Sequence, residues 1–175
     1  MLSAVLGEKV SRNRALLGGG LVVLVIVAVV AWLVWPSAPA EPRARQYQDA
    51  TACLLTDGQG VAGTGAAPVW AGLQAASLRT HGQVRYLAVT GDQTPANAQT
   101  FAGTLLLGRC SVIVATPGIA DAAVRAIAGQ YASQQFVVVG GVEPSAHNVT
   151  RVAGGSTADT TGQVSAVVGG RLGGS

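Results

Sequence analysis

Between residues 15 and 35 the chain runs for 21 positions without a charged or strongly polar side chain, and nothing else in it restricts folding as severely. At about 1.5 Å per residue such a run makes a helix of roughly 31 Å, the thickness of a bilayer's hydrocarbon core. Trp32 and Trp35 stand at its C-terminal end, where indoles favour the membrane–water interface, and Pro36 stops the helix. The expectation is one transmembrane helix over 15–35, in contact with the lipid bilayer. A second reading stays open. Ala38-Pro39-Ala40 has the small-x-small form of a signal-peptidase site, and cleavage after Ala40 would remove the segment. The apolar run is longer than a signal core of about 7–15 residues, which favours a retained anchor. No cysteine directly follows it, which argues against a lipid-modified N-terminus. Lys9, Arg12 and Arg14 precede the run, so the positive-inside rule places residues 1–14 in the cytoplasm and the C-terminal domain outside.

The remainder divides into a linker over 36–50, rich in Pro, Ala and Arg, and a domain over 51–175. Hydrophobic residues make up 49% of the chain and charged residues 11%, well under the roughly 25% of an ordinary soluble domain, which excludes a disordered polyelectrolyte. The net charge of +3 is too small for a phosphate-binding face, so no nucleic-acid partner is expected. Short apolar segments at 52–56 (ACLLT), 84–89 (VRYLAV), 111–115 (SVIVA), 135–139 (QFVVV) and 148–152 (NVTRV) read as strands. Helical patterns fall at 68–80, 96–107, 119–131 and 158–172. Pro68 and Pro95 suit first turns, Thr94 suits a cap, and Asp121 suits a cap or a first-turn acid.

Strands of this kind, apolar without clean alternation and separated by helices, belong in a parallel sheet covered on both faces. The expected class is α/β: one doubly wound, parallel, five-stranded sheet in order 2-1-3-4-5 behind one N-terminal transmembrane helix. That order sets strands 1 and 3 side by side. Cys53 and Cys110, each near the start of one of them, then come within reach of a disulfide, which an exported domain would form. The alternative is two small buried apolar residues.

Ligands of doubly wound sheets bind beyond the carboxyl ends of the strands, near the switch between strands 1 and 3. The loops concerned are 57–65, 90–94, 116–118 and 140–144. Gly58-Gln59-Gly60-Val61-Ala62-Gly63 spells the dinucleotide fingerprint. However, four residues separate its last glycine from Pro68, and Asp57 would repel a phosphate; no cofactor is expected. An acidic cluster with a lysine, as in phosphoacceptor domains, is missing: Lys9 is the last lysine. No Gly-x-Ser-x-Gly elbow occurs, and His81 and His147 have neither a paired nucleophile nor metal-ligand spacing. Neither a catalytic residue nor a metal site is assigned, and an enzyme is not expected. Asp57 and Asp92, both at strand ends, either bind polar ligand groups or cap turns. Trp70, Tyr86, Phe101 and Phe136 read as core residues. Asn148-Val149-Thr150 is a glycosylation sequon by pattern alone.

The order CLLTDGQG, VWAGL, RCSVIVATPG, YASQQFVVVGG and HNVTRV resembles the N-terminal lobe of the basic membrane protein family, the substrate-binding proteins of ABC importers. The similarity runs from about residue 52 to 172. It implies a periplasmic-binding-protein type I lobe that takes a nucleoside-like or other small polar ligand. Trp70-Ala71-Gly72-Leu73 is similar to the family's aromatic-x-Gly-Leu segment, and Asp57 opens its first ligand loop. Two positions depart from the pattern. Gly65-Ala66-Ala67 lies where the family has Ser-Phe-Asn, and Gly140 where it has an aspartate. The resemblance covers one lobe, so a second copy or a membrane protein partner is expected to complete the cleft. Asp57, Gly58, Thr90, Asp92, Thr116 and Gly118 are the ligand-binding candidates. The competing expectation is a structural or regulatory membrane protein without a ligand.

Overall fold

A computed structural model describes residue 25, residues 27–30, residue 32 and residues 48–174. The chain divides into two units, Met1–Ala44 and Arg45–Ser175. In the first, Val25, residues 27–30 and Trp32 are helical and exposed. The rest of the expected 15–35 span, the 1–14 terminus and the linker as far as residue 47 lie outside the described residues. Among the described residues no helix is long and apolar enough to cross a membrane.

The second unit is an α/β domain. Its elements are β1 (Gln48–Thr56), α1 (Ala67–Thr80), β2 (Gly82–Ala88), α2 (Pro95–Leu107), β3 (Val112–Ala115), α3 (Ile119–Ile127), β4 (Gln135–Val139), β5 (Val149–Val152) and α4 (Thr157–Leu172). All four strand pairings are parallel, in the order β2-β1-β3-β4-β5. Fold class and strand order are as the sequence pattern predicts. The central strands are buried on both faces, which is why their sequences show no alternation. One core layer joins Cys53, Leu55, Ile113 and Phe136 to α2 and α3, while the other joins Leu54, Val114 and Val137 to α1 and α4.

Helix ends follow local chemistry. Thr94 accepts the Asn97 N–H at 3.2 Å, and Ser156 accepts that of Asp159. On α3, Ala120, Ala123, Val124 and Ile127 make one buried stripe, and Asp121 bonds Arg125 one turn on at 2.6 Å. Asp121 is thus a first-turn acid and not a cap, since Gly118 holds the N-cap position.

Four differences from the expected elements have physical causes. β1 begins at Gln48, inside the expected linker, because the Gln48 N–H finds the His81 carbonyl at 2.9 Å. Cys53 therefore sits in mid-strand, and Cys110 lies just before β3. α3 stops at Ile127 and continues as a 3-10 turn over Ala128–Gln130. There the Tyr131 N–H turns back to the Ala128 carbonyl at 3.1 Å, and Asn148 donates to the Ala128 and Tyr131 carbonyls at 2.9 Å each. Finally, Tyr86 is exposed instead of joining the core, and it stacks edge to face at 5.6 Å on Trp70, which is half-buried and packs against the core layer of α1 and α4.

The two helices of one face meet through Gly72. A Cβ there would lie 2.8 Å from the Thr161 carbonyl and 2.9 Å from Val164. The same contact is tied by Arg79 to Ser165 and by Thr161 to the Pro68 carbonyl. Gly72→Ala should therefore destabilise the domain by about 1–3 kcal/mol through overpacking, even though alanine is the better helix former. Urea unfolding would check this; an unchanged midpoint would mean that α4 shifts freely.

Candidate functional site

β1 and β3 run side by side, and their successors α1 and α3 cover opposite faces of the sheet, so the chain parts beyond their carboxyl ends. A cleft of about 440 Å³ lies there, lined by Asp57, Gly58, Gln59, Gln93, Pro117, Gly118 and Ile119. Of the six expected ligand residues, the structure brings Asp57, Gly58 and Gly118 to this cleft.

Asp57 accepts the Gln59 N–H on Oδ1 at 3.0 Å, an Asx turn that shapes the loop. The Gly58 N–H donates to Gln93 Oε1 at 2.7 Å, and Gln93 Nε2 donates to the Val89 and Gly91 carbonyls at 3.0 Å. Gln93 thus pins the loop after β1 to the turn after β2. Gly118 has φ +102°, a conformation that side chains resist, and a Cβ there would meet nothing within 4 Å. Pro117 and Ile119 add apolar lining to the cleft that Asp57 also lines. Such a site suits a small molecule carrying both a hydrogen-bond donor and an apolar face.

The other three candidates do different work. Thr116 is 3% exposed; its N–H and hydroxyl both bond the Leu55 carbonyl, locking β3 to β1 beneath the cleft. Thr90 and Asp92 lie in the exposed turn around Gly91, where their carbonyls accept from Asn97 Nδ2 at 2.8 Å. That turn reaches the cleft only through Gln93. Gln59, Gln93, Pro117 and Ile119 were not singled out by residue type. The Pro-Gly pair after a buried strand was the available signal for Pro117. The loop over 140–144 opens elsewhere, onto a hollow of about 170 Å³ beside Arg125 and Val149.

The Gly58-x-Gly60-x-x-Gly63 segment is closed on itself. Gly60 donates to the Asp57 carbonyl, Gly63 to that of Gly60, and Ala66 and Ala67 to that of Gly63. Amides that would cradle a pyrophosphate are already bonded. The two positions that depart from the binding-protein pattern, Gly65 and Gly140, both approach Pro117, with an added Cβ 3.9 Å from its ring.

In the core layer under α2 and α3, Cys53 and Cys110 form a disulfide with Cα atoms 5.8 Å apart. Arg85 lies over it, its Nε 3.1 Å from Cys53 Sγ and its Nη2 donating to the Gly108 carbonyl. Asn148 of the sequon is 1% exposed, and its Nδ2 donates to three carbonyls; in the folded domain it is a scaffold residue and no acceptor for sugar. Among the described residues no three His, Cys, Asp or Glu side chains are grouped to hold a metal.

No family model matches the chain, and no curated protein matches it. Among solved structures, it is similar to a fragment of a candidate lipoprotein from Peptoclostridium difficile 630, with TM-score 0.57 and 15% identity over 71% of this chain and 99% of that one. It also matches an ABC transporter solute-binding protein from Aeropyrum pernix K1, with TM-score 0.49 and 15% identity over 58% of this chain but only 28% of that protein. At such identity the likeness to the lipoprotein fragment is one of fold.

Proposed function

We propose that this chain is a membrane-anchored, extracytoplasmic binding module, a binder and not an enzyme, held by residues 15–35 with its N-terminus in the cytoplasm. Its α/β lobe takes a small polar ligand, nucleoside-like in the reading that the family resemblance suggests, at the carboxyl edge of β1 and β3. The observation that carries the reading is the cleft at the strand-order switch, which Asp57 lines together with Pro117 and Ile119. The disulfide supports an oxidising compartment, hence export.

A thermal-shift screen against nucleosides and common metabolites tests it. A ligand at about 100 times its dissociation constant should add roughly 2.7 kcal/mol, several degrees for a domain of this size. Asp57→Ala should abolish that protection while leaving the unliganded melt within about 2 °C, because the carboxylate's one internal bond is to an exposed loop amide. The second reading, a structural or regulatory membrane protein without a ligand, is favoured by the glycines at 65 and 140 that flank Pro117. A cooperative melt that no compound shifts would decide for it.

A further inference from the structure

An open sheet ends in two strands whose outer N–H and C=O groups can pair with any extended chain, and here the two ends are protected differently. β5 is four residues long and is guarded by charge. Arg151 pairs with Glu143 at 3.5 Å and donates to the Gly141 carbonyl, and Arg171 reaches Thr150 and Gln135. β2 is seven residues long and carries no proline, no lysine and no bulge of its own. Its one charged residue, Arg85, is turned back onto the disulfide and the Gly108 carbonyl.

The direction of its backbone groups follows from parity. His81 C=O and Val89 N–H both bond β1, so the odd-numbered residues face inward. The N–H and C=O groups of Val84, Tyr86 and Ala88 therefore point away from the sheet. Tyr86, in the middle of that set, is 50% exposed and is braced by Trp70.

We propose that β2 is the contact strand of a homodimer: two copies pair antiparallel through β2, across a two-fold axis at Tyr86, joining their sheets edge to edge. Unpaired strand groups call for an extended partner, and a second copy meets every further condition of this edge. It sets Tyr86 against Tyr86 of the second copy, extending the Trp70–Tyr86 stack into a four-ring cluster on one face. It sets Arg85 opposite Leu87 and Val84 opposite Ala88, so no like charges face each other. The contact is isologous and closes on itself. It is independent of any ligand and leaves the carboxyl-edge cleft free.

The test uses the full chain in detergent. Both native cysteines are joined to each other, so Tyr86→Cys introduces the one free thiol. Opposed residues of this kind have Cα atoms about 5.5 Å apart, within disulfide reach. Mild oxidation should give a covalent dimer as the main product, and Gln163→Cys, exposed on α4, should give less than a tenth as much. Equal cross-linking at both positions, or none from a Tyr86→Cys protein with the wild-type melt, would overturn the proposal. Should Tyr86→Cys not fold, sedimentation equilibrium in density-matched detergent decides. The wild type should be a dimer, and Tyr86→Lys should weaken it at least tenfold. A wild type that is monomeric throughout, or dimers that Tyr86→Lys leaves unchanged, would overturn it equally.

Discussion

Replacing both cysteines, Cys53→Ala with Cys110→Ala, is expected to lower the stability of the domain by about 4 kcal/mol without changing its fold. The bond closes a loop of 57 residues, and the loop-closure entropy of a chain that long amounts to about 4 kcal/mol at 25 °C. Truncating two buried sulfurs adds a smaller packing loss, since both belong to the core layer under α2 and α3. The β1–β3 ladder does not depend on the bond: four residue pairs, from Ala52 with Val112 to Leu55 with Ala115, hold it by backbone hydrogen bonds. Scanning calorimetry should therefore show one cooperative transition, lowered by roughly 10–20 °C. A drop of less than about 3 °C would mean that the unfolded chain is already compact around these residues, so that the crosslink removes little freedom. The same dependence bears on location, because a domain that draws this share of its stability from a disulfide is best suited to an oxidising compartment.

What could be read from the residues was whatever rests on local pattern. Buried parallel strands write themselves as continuous apolar runs, and QFVVV defines β4 to the residue. Thr94 and Pro95 mark the start of α2 by their own chemistry. Strand order followed, and with it the approach of Cys53 to Cys110. The failures all concern partners distant in sequence. Thr116 and Asp57 are both polar residues at strand ends, yet one is sealed against Leu55 and the other lines a cleft. Residue type does not distinguish them, since burial there depends on the neighbouring strand. Gln93 matters because its amide spans from Gly58 to Val89, a link across 35 positions that no spacing announces. Tyr86 resembles a core aromatic in sequence; it is exposed because β2 falls at the end of the sheet, which is a property of topology.

Asn148 is the sharpest case, and its substitution should clearly destabilise the domain, though less than losing the disulfide. Its Nδ2 donates to the carbonyls of Ala128, Tyr131 and Gln134 at 2.9–3.0 Å, joining the end of α3 and the following turn to the start of β5. In Asn148→Leu the volume is kept and the donors are lost; the Ala128 and Tyr131 carbonyls keep the backbone N–H groups of Tyr131 and Gln134, while the Gln134 carbonyl loses its side-chain donor. At about 1–3 kcal/mol for a buried group that loses its partner, the expected loss is about 1–3 kcal/mol. Asn148→Asp separates hydrogen bonding from packing, since it is isosteric. At neutral pH the carboxylate offers no donor and sets a negative charge against three carbonyl oxygens, so it should destabilise at least as much as leucine. That environment raises the carboxyl's folded-state pKa above its unfolded one, so stability is regained as the pH falls and the acid binds its proton. Urea titrations at pH 7 and pH 5 should show the Asp variant recovering relative to wild type and the Leu variant unmoved. Equal behaviour of the two variants at both pH values would assign Asn148 a packing role alone.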